Sequence, residues 1–241
     1  MGFEPLLETL REFTLEDAFK VEKNDRQYRA LERLYKSLKE KEPFFKLVLT
    51  NALLSYQLSM KGERYWETFA EYFSDGKTLK DFGEFLKKYN NRFLNGKLKR
   101  FEKISKLFEG LTLNDFKNFC ENPEELLNFL SRGLNQKRDA KTLVFAVKMF
   151  IYACRIAGFK HAVAPFDMGI PLDVRLKKIS ADRTFWKKLA EEVGIPPLHL
   201  DAIIWTTMGA SEKDLETLDD RVLKEKLKKL KKVLDNLVRK G

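Results

Sequence analysis

Lys141 opens an apolar run, Lys141-Thr142-Leu143-Val144-Phe145-Ala146-Val147-Lys148, and Asp173 follows it by 32 positions in Gly169-Ile170-Pro171-Leu172-Asp173-Val174. The first turn of a helix is electropositive, because its leading N–H groups are unpaired and the peptide dipoles add up there. A cation at that place is disfavoured and a free amine favoured. Lys148 lies seven positions on, on the same helical face, and adds like-charge repulsion where water is excluded. A lysine that sheds its proton is a nucleophile. A carboxylate fixed just after a proline, at the next helix start, can offset positive charge that develops on a sugar. The pairing suggests amine chemistry on DNA. Each residue also has a plainer reading. A lysine in a chain with 46 Lys and Arg is ordinarily a solvated surface charge, and an aspartate at a helix start is ordinarily a cap for backbone N–H groups.

The helix that opens near Asp139 carries Lys141, Phe145, Lys148, Tyr152 and Arg155 at spacings of four, three, four and three, which places them on one face. Leu143, Ala146, Val147, Phe150, Ile151 and Cys154 fill the opposite side and give the helix a core to stand on. A basic face interleaved with aromatics can contact phosphates and stack a base, or it can be the snorkelling edge of a buried helix. Ser55-Tyr56-Gln57-Leu58-Ser59 ends an apolar helix expected over Phe44 to Leu58, and Trp66 lies on the next one. Trp205 follows Asp201 by one turn, just after Pro196-Pro197. Such Trp and Asp side chains can sandwich a flat heterocycle and accept from its N–H groups; taken singly, each Trp is a core residue.

These residues must be positioned by helices. Apolar residues recur at spacings of three and four almost throughout, as in Tyr28, Leu31, Tyr35, Leu38 and Leu223, Leu227, Leu230, Leu234, Leu237, while alternation with period two is scarce. The chain is therefore expected to be all-α. Breaks near Ser74-Asp75-Gly76, Asn90-Asn91, Gly110, Asn122-Pro123, Gly133-Leu134-Asn135, Gly158, Gly169-Ile170-Pro171, Gly194-Ile195-Pro196-Pro197 and Gly209 imply about a dozen short elements. The Lys-rich helix Leu223 to Val238 reads as an amphipathic helix packed on its own protein. The formal charge of +10 and the pI near 9.4 favour an acidic partner, nucleic acid or an anionic membrane surface. No run of about 18 apolar residues exists, and Met1-Gly2-Phe3-Glu4-Pro5 lacks the charged and apolar regions of a signal peptide, so a soluble, intracellular protein with no membrane partner is expected. Cys120 and Cys154 are too few for a disulfide framework, a four-cysteine zinc site or an iron–sulfur cluster and read as small buried side chains. His161 and His199 are too few for a metal site, which leaves acid–base work to carboxylates and lysines.

On two of these segments the chain resembles the helix-hairpin-helix DNA glycosylase superfamily, and most closely its archaeal 8-oxoguanine DNA glycosylase family, AGOG. Leu53-Leu54-Ser55-Tyr56-Gln57-Leu58-Ser59 is similar to the superfamily's Leu-Ser-x-Gln segment, and the Lys141 helix followed by Ile170-Pro171-Leu172-Asp173-Val174 carries the more specific likeness. The likeness spans about Gln27 to Trp205. The usual hairpin of leucine, proline and two glycines before the lysine helix is absent, and Gly133-Leu134-Asn135-Gln136-Lys137-Arg138-Asp139 stands in its place, which is similar to the atypical hairpin of AGOG. The resemblance implies a two-lobed helical architecture with a central DNA-facing cleft. One lobe, residues 26–150, would carry the hairpin and the nucleophile helix; residues 1–25 and 151–241 would form the second from both termini.

The resemblance further implies roles. Lys141 is similar to the Schiff-base nucleophile and Asp173 to the catalytic aspartate. Gln27, Trp66, Phe145, Lys148, Asp201 and Trp205 resemble residues of the oxidised-guanine pocket, and Ser55 does so with Ser59 as its alternative. Gln57 is similar to the residue that enters the duplex where the base leaves. The implied activity is that of a bifunctional glycosylase and lyase that flips out 8-oxoguanine from double- or single-stranded DNA, works as a monomer in association with the nucleoid, and uses no metal or other cofactor. A non-catalytic helical DNA-binding protein, or a glycosylase of the same superfamily for another damaged base, is the competing expectation.

Overall fold

The amphipathic stripes become fourteen α-helices with no β-strand among the described residues of a computed structural model, which describes residues 3–159 and 162–240. His161 lies outside the described residues. The chain divides into two units, residues 26–163 and residues 1–25 with 164–241. The first unit thus ends beyond the expected boundary at residue 150, which falls inside an unbroken helix that runs to Ile156.

Residues 26–163 fold as α3 (Arg26–Leu38), α4 (Lys41–Leu54), α5 (Gly62–Phe73), α6 (Phe82–Tyr89), α7 (Leu94–Glu109), α8 (Leu113–Glu121), α9 (Pro123–Leu134) and α10 (Lys141–Ile156). α4 and α10 are apolar around most of their circumference, with Phe44 to Leu54 buried except Lys46, and Val147 to Cys154 buried. Two such helices must be packed centrally, and they lie against each other. Phe45 of α4 meets Phe150 of α10 and Phe116 of α8 with ring centroids 5.2 and 5.3 Å apart. A second cluster, Phe69, Phe73, Phe82 and Phe85, fastens α5 to α6.

Cys120 of α8 and Cys154 of α10 are buried, as their apolar neighbours imply, but they are joined in a disulfide. Two cysteines 34 positions apart give no sign of pairing by themselves. The packing of α8 on α10 supplies it, by bringing the two Cα atoms to 5.6 Å, within the span a disulfide bridges.

The other unit consists of α1 (Glu4–Leu10), α2 (Leu15–Asn24), α11 (Arg183–Val193), α12 (Pro197–Gly209), α13 (Glu212–Glu216) and α14 (Arg221–Lys240). Leu6, Leu10, Val21, Leu200, Ile203, Leu227, Leu230 and Leu234 share its core, so the Lys-rich α14 packs on its own protein. Its lysines reach outward to carboxylates: Lys226 donates to Asp17 at 2.8 Å and Lys229 pairs with Glu12. His199 of α12 is buried, accepts from the Ala164 N–H at Nε2 (3.0 Å) and lies 2.7 Å from Glu22 Oε1 at Nδ1. The pattern assigns the ring proton to Nδ1 and ties α2, α12 and the segment at Ala164 together.

Candidate active site

Lys141 is the first residue of α10 and is exposed. Ala140 at the N-cap offers no side-chain acceptor, so the leading amides of the helix are not satisfied by their own cap residue. The approach to this helix differs from the expected reading in one detail. Gly133 lies inside α9 and does not form the turn: a Cβ there would stand 2.5 Å from Leu107 Cδ1, so glycine serves the close approach of α9 to α7. The left-handed turn position falls to Asn135, with φ +50°, one of the few residue types that adopt it at small cost. Ser131 then closes the turn, accepting the Gln136 N–H on its carbonyl at 3.0 Å and donating its hydroxyl to Gln136 O at 2.6 Å.

The polar-aromatic face of α10 is real as a register but not as a surface. Lys141 is exposed and Phe145 half-buried, whereas Lys148 and Tyr152 are buried, Tyr152 edge-on to Tyr28 at 5.3 Å. Arg155 lies over the Tyr152 ring. Of these five residues Lys141 is therefore the exposed one, with Phe145 and Arg155 partly so. Phe145 stands edge-on to Trp66 with centroids 6.2 Å apart, so these two predicted pocket residues come together. Trp66 is buried on α5, where Phe69 takes another contact with its ring. Gln27 is buried on α3, and a Cβ on Gly62 would lie 3.7 Å from its amide nitrogen, which places Gln27 against the start of α5.

The apolar run expected to be helical to Leu58 leaves the helix at Leu54. Ser55 folds its hydroxyl back to Ala52 O at 2.9 Å, and Gln57, exposed, adopts φ +50°. A left-handed backbone on a non-glycine residue stores strain that its surroundings must hold. The carbonyls left open find donors elsewhere. Arg100 Nε donates to Leu53 O at 3.2 Å, Asn90 Nδ2 to Leu54 O at 2.9 Å, and Arg92 to Leu58 O at 3.1 Å. Sequence reasoning passed over Asn90, Lys97 and Arg100; the signal that could have found them is the basic pair Lys97 and Arg100 three apart on the largely apolar-facing α7. Near Arg92, Phe93 is 71% exposed and also left-handed, φ +54°.

In the other unit Asp173 is both cap and acceptor. Its Oδ1 takes the N–H groups of Arg175 (2.9 Å) and Leu176 (3.0 Å), which start the short 3-10 turn Leu176–Lys178. Its Oδ2 takes the indole N–H of Trp205 at 2.7 Å. Both oxygens are thereby oriented, and the carboxylate is only partly buried. Trp205 is not a bare stacking plate: Arg175 lies over its ring at 4.1 Å, in a space kept open because residue 209 is glycine, whose Cβ would meet the guanidinium at 2.7 Å. Asp201, one turn before Trp205 on α12, is buried. Among the described residues no group of three or more His, Cys, Asp or Glu is arranged to hold a metal ion, and no helix is long and apolar enough to cross a membrane.

A family model described as AGOG, N-glycosylase/DNA lyase, matches residues 7–238. Curated relatives named N-glycosylase/DNA lyase include one from Nanoarchaeum equitans, 44% identical over 202 residues that make up 84% of this chain and 89% of the relative. Another, from Thermococcus kodakarensis, is 40% identical over 227 residues, 88% of this chain and 86% of the relative. Among solved structures, the 8-oxoguanosine complex of the 8-oxoguanine DNA glycosylase Pa-AGOG from Pyrobaculum aerophilum superposes with a TM-score of 0.77 at 28% identity, covering 97% of this chain and 95% of that one.

Proposed function

Because this chain belongs to the AGOG family of N-glycosylase/DNA lyases, we propose that it excises 8-oxoguanine from DNA through a Schiff base on Lys141 and then cuts the strand by β-elimination. The observation that carries the assignment of the nucleophile is the place of Lys141, exposed at the start of a helix whose N-cap residue supplies no acceptor. DNA is the substrate, and the lesion is taken from paired or single strands by a monomer acting inside the cell on the nucleoid. The substrate class of the solved relative, 8-oxoguanosine, supports the choice of lesion.

In the chemistry that follows, the free amine of Lys141 donates its lone pair to C1′, and the C1′–N bond breaks with its electrons leaving on the base, which takes up a proton. Opening of the sugar gives the iminium. Loss of a C2′ proton then expels the 3′ phosphate, and water releases the lysine. Asp173 faces positive charge that develops on the sugar before the new bond has formed, and its two oxygens, already oriented by Trp205 and two backbone N–H groups, need little reorganisation for this.

Flipping costs a few kcal/mol, which contacts to the extruded base repay. Trp66 and Phe145 supply aromatic surface, and Gln27, Lys148 and Asp201 supply polar groups. Ser55 has committed its hydroxyl proton to Ala52 O, so toward a base it acts as an acceptor. 8-Oxoguanine has an N7–H donor where guanine has a lone pair, and an acceptor at that edge rejects guanine. Gln57 enters the duplex where the base leaves. Trp205 serves by holding Asp173.

Borohydride trapping on an oligonucleotide with one 8-oxoguanine opposite cytosine tests the reading. A covalent adduct is expected with the lesion only, absent in Lys141→Gln although that variant still binds DNA. Strand cleavage retained by Lys141→Gln would reject the nucleophile, and tight binding with neither adduct nor base release would reject the glycosylase.

A further inference from the structure

The carbonyl end of α4 is capped locally by Ser55, whose N–H and hydroxyl reach Ala52 O, and by the Tyr56 N–H on Leu54 O, and from outside by side chains of α7 and the turn that precedes it. A helix leaves its last carbonyls without internal donors, and here Leu53 O receives Arg100 Nε at 3.2 Å while Leu54 O receives Asn90 Nδ2 at 2.9 Å. Asn90 is fixed in turn. Lys97 Nζ donates to its side-chain oxygen and, at 3.4 Å, to its carbonyl, and Asn90 Nδ2 also donates to Tyr65 OH at 3.1 Å. Lys97 has no exposed surface, and its ammonium lies 5.0 Å from the centre of the Tyr56 ring, inside the loop that carries Gln57. Arg100, three residues on, extends its other arm to Gln136 Oε1 at 2.8 Å and Thr142 Oγ1 at 3.4 Å. One face of α7 therefore touches the end of α4, the turn before α10, and the residue next to Lys141.

An apolar side chain of the same length would fill the Lys97 slot without desolvating a charge. Burial, with the nearby Arg92 cation, brings the Lys97 ammonium down to about 8, which registers that cost. What the lysine supplies in return is the orientation of Asn90, and through it of the strained Gln57 loop.

We propose that Lys97 and Arg100 are positioning residues for the reaction: together they cap the carbonyl end of α4 so that Gln57 is presented to the duplex, and Arg100 sets that loop in one frame with the Lys141 end of α10. The proposal rests on the glycosylase reading given above.

The test is single-turnover release of 8-oxoguanine by wild type, Lys97→Met and Arg100→Lys from two substrates, each assayed at a temperature where the variant's own unfolding curve shows it folded. In one substrate the lesion is paired in a duplex, and in the other it sits in an unpaired bubble, where extrusion demands less of the protein. The duplex rate is expected to fall at least about tenfold, and by at least about fivefold more than the bubble rate. A purely structural role would lower both rates alike or neither, and either result overturns the proposal. If Lys97→Met does not fold, Arg100→Lys, which keeps the cation but loses the two-armed guanidinium that bridges Leu53 O and Gln136, decides by the same ratio. Wild type that releases no base from the duplex overturns the reading beneath the proposal and the proposal with it.

Discussion

The contact with most chemical consequence at the level of single residues is the 2.7 Å hydrogen bond from the Trp205 indole to Asp173 Oδ2. A hydrogen bond to a charged group contributes roughly 1.5–3 kcal/mol, and here it also fixes where the carboxylate points. Trp205→Phe keeps a ring beneath Arg175 and removes only the donor. Its melting temperature should stay within a few degrees of wild type, while single-turnover base release falls by about one to two orders of magnitude, the range of roughly 1.5–3 kcal/mol lost from the barrier. Single-turnover rates with saturating enzyme measure this; an unchanged rate would mean that the two backbone N–H groups orient Asp173 unaided. The role of Asp173 as a cap is legible in the amino-acid sequence, because Pro171 and the residue types after it mark the start of a turn. Its partner is not. Trp205 lies 32 positions away, and an indole one turn after Asp201 reads equally well as a stacking surface for a ligand. The sequence registers Trp205 as aromatic and periodic, but the direction of its N–H depends on how α12 packs.

At the scale of elements, helix ends are where local signals and tertiary contacts compete. Asp17 shows the two acting together. It completes the capping box of α2 with Thr14 and also receives Lys226 of α14 at 2.8 Å. Burial pushes the Asp17 carboxyl up, but the Lys226 hydrogen bond, the Thr14 N–H and the Lys226 charge outweigh it and hold the group below its ordinary value. A carboxylate whose folded value is depressed contributes stability that is present above its unfolded value and lost as pH falls through the folded one. Asp17→Asn should therefore cost about 1–2 kcal/mol at neutral pH. The gap from wild type should stay level down to about pH 5 and close below about pH 4, as urea unfolding at several pH values would show. A gap that stayed constant into acid would remove the ionic component. The end of α4 shows the competition instead. Nothing in Leu53-Leu54-Ser55-Tyr56-Gln57-Leu58 forbids a helix to Leu58, and periodicity extends it there. The helix stops at Leu54, where Ser55 and Tyr56 turn back on Ala52 O and Leu54 O and donors from Arg100 and Asn90, 36 or more positions away, meet the carbonyls that the amides of Gln57 and Leu58 would have used. The stripe on α10 likewise gives the register of Lys141, Phe145, Lys148 and Tyr152 without telling which end of it is covered.

For the whole molecule, the length of chain between contacts decides how much a covalent link contributes. The Cys120–Cys154 disulfide spans 34 positions and closes a loop that contains α9, the turn at Asn135 and the Lys141 end of α10. Restricting an unfolded loop of this size stabilises the fold by about 2–4 kcal/mol. In a chain of this length, where each kcal/mol moves the midpoint by about 2–4 °C, reduction should lower the melting temperature by roughly 5–15 °C. Calorimetry with and without reductant measures this, and Cys154→Ala should melt where the reduced wild type does and be indifferent to reductant. Lesion trapping at temperatures well below the midpoint should change little on reduction, because α10 is held against α4 by buried side chains such as Phe45 and Phe150, and its start is tied to α7 through Arg100. Trapping lost at a temperature where the reduced protein is still folded would instead make the disulfide part of what places Lys141, and a midpoint that reductant leaves unmoved would show that the constraint lies in the packing of α8 on α10 alone.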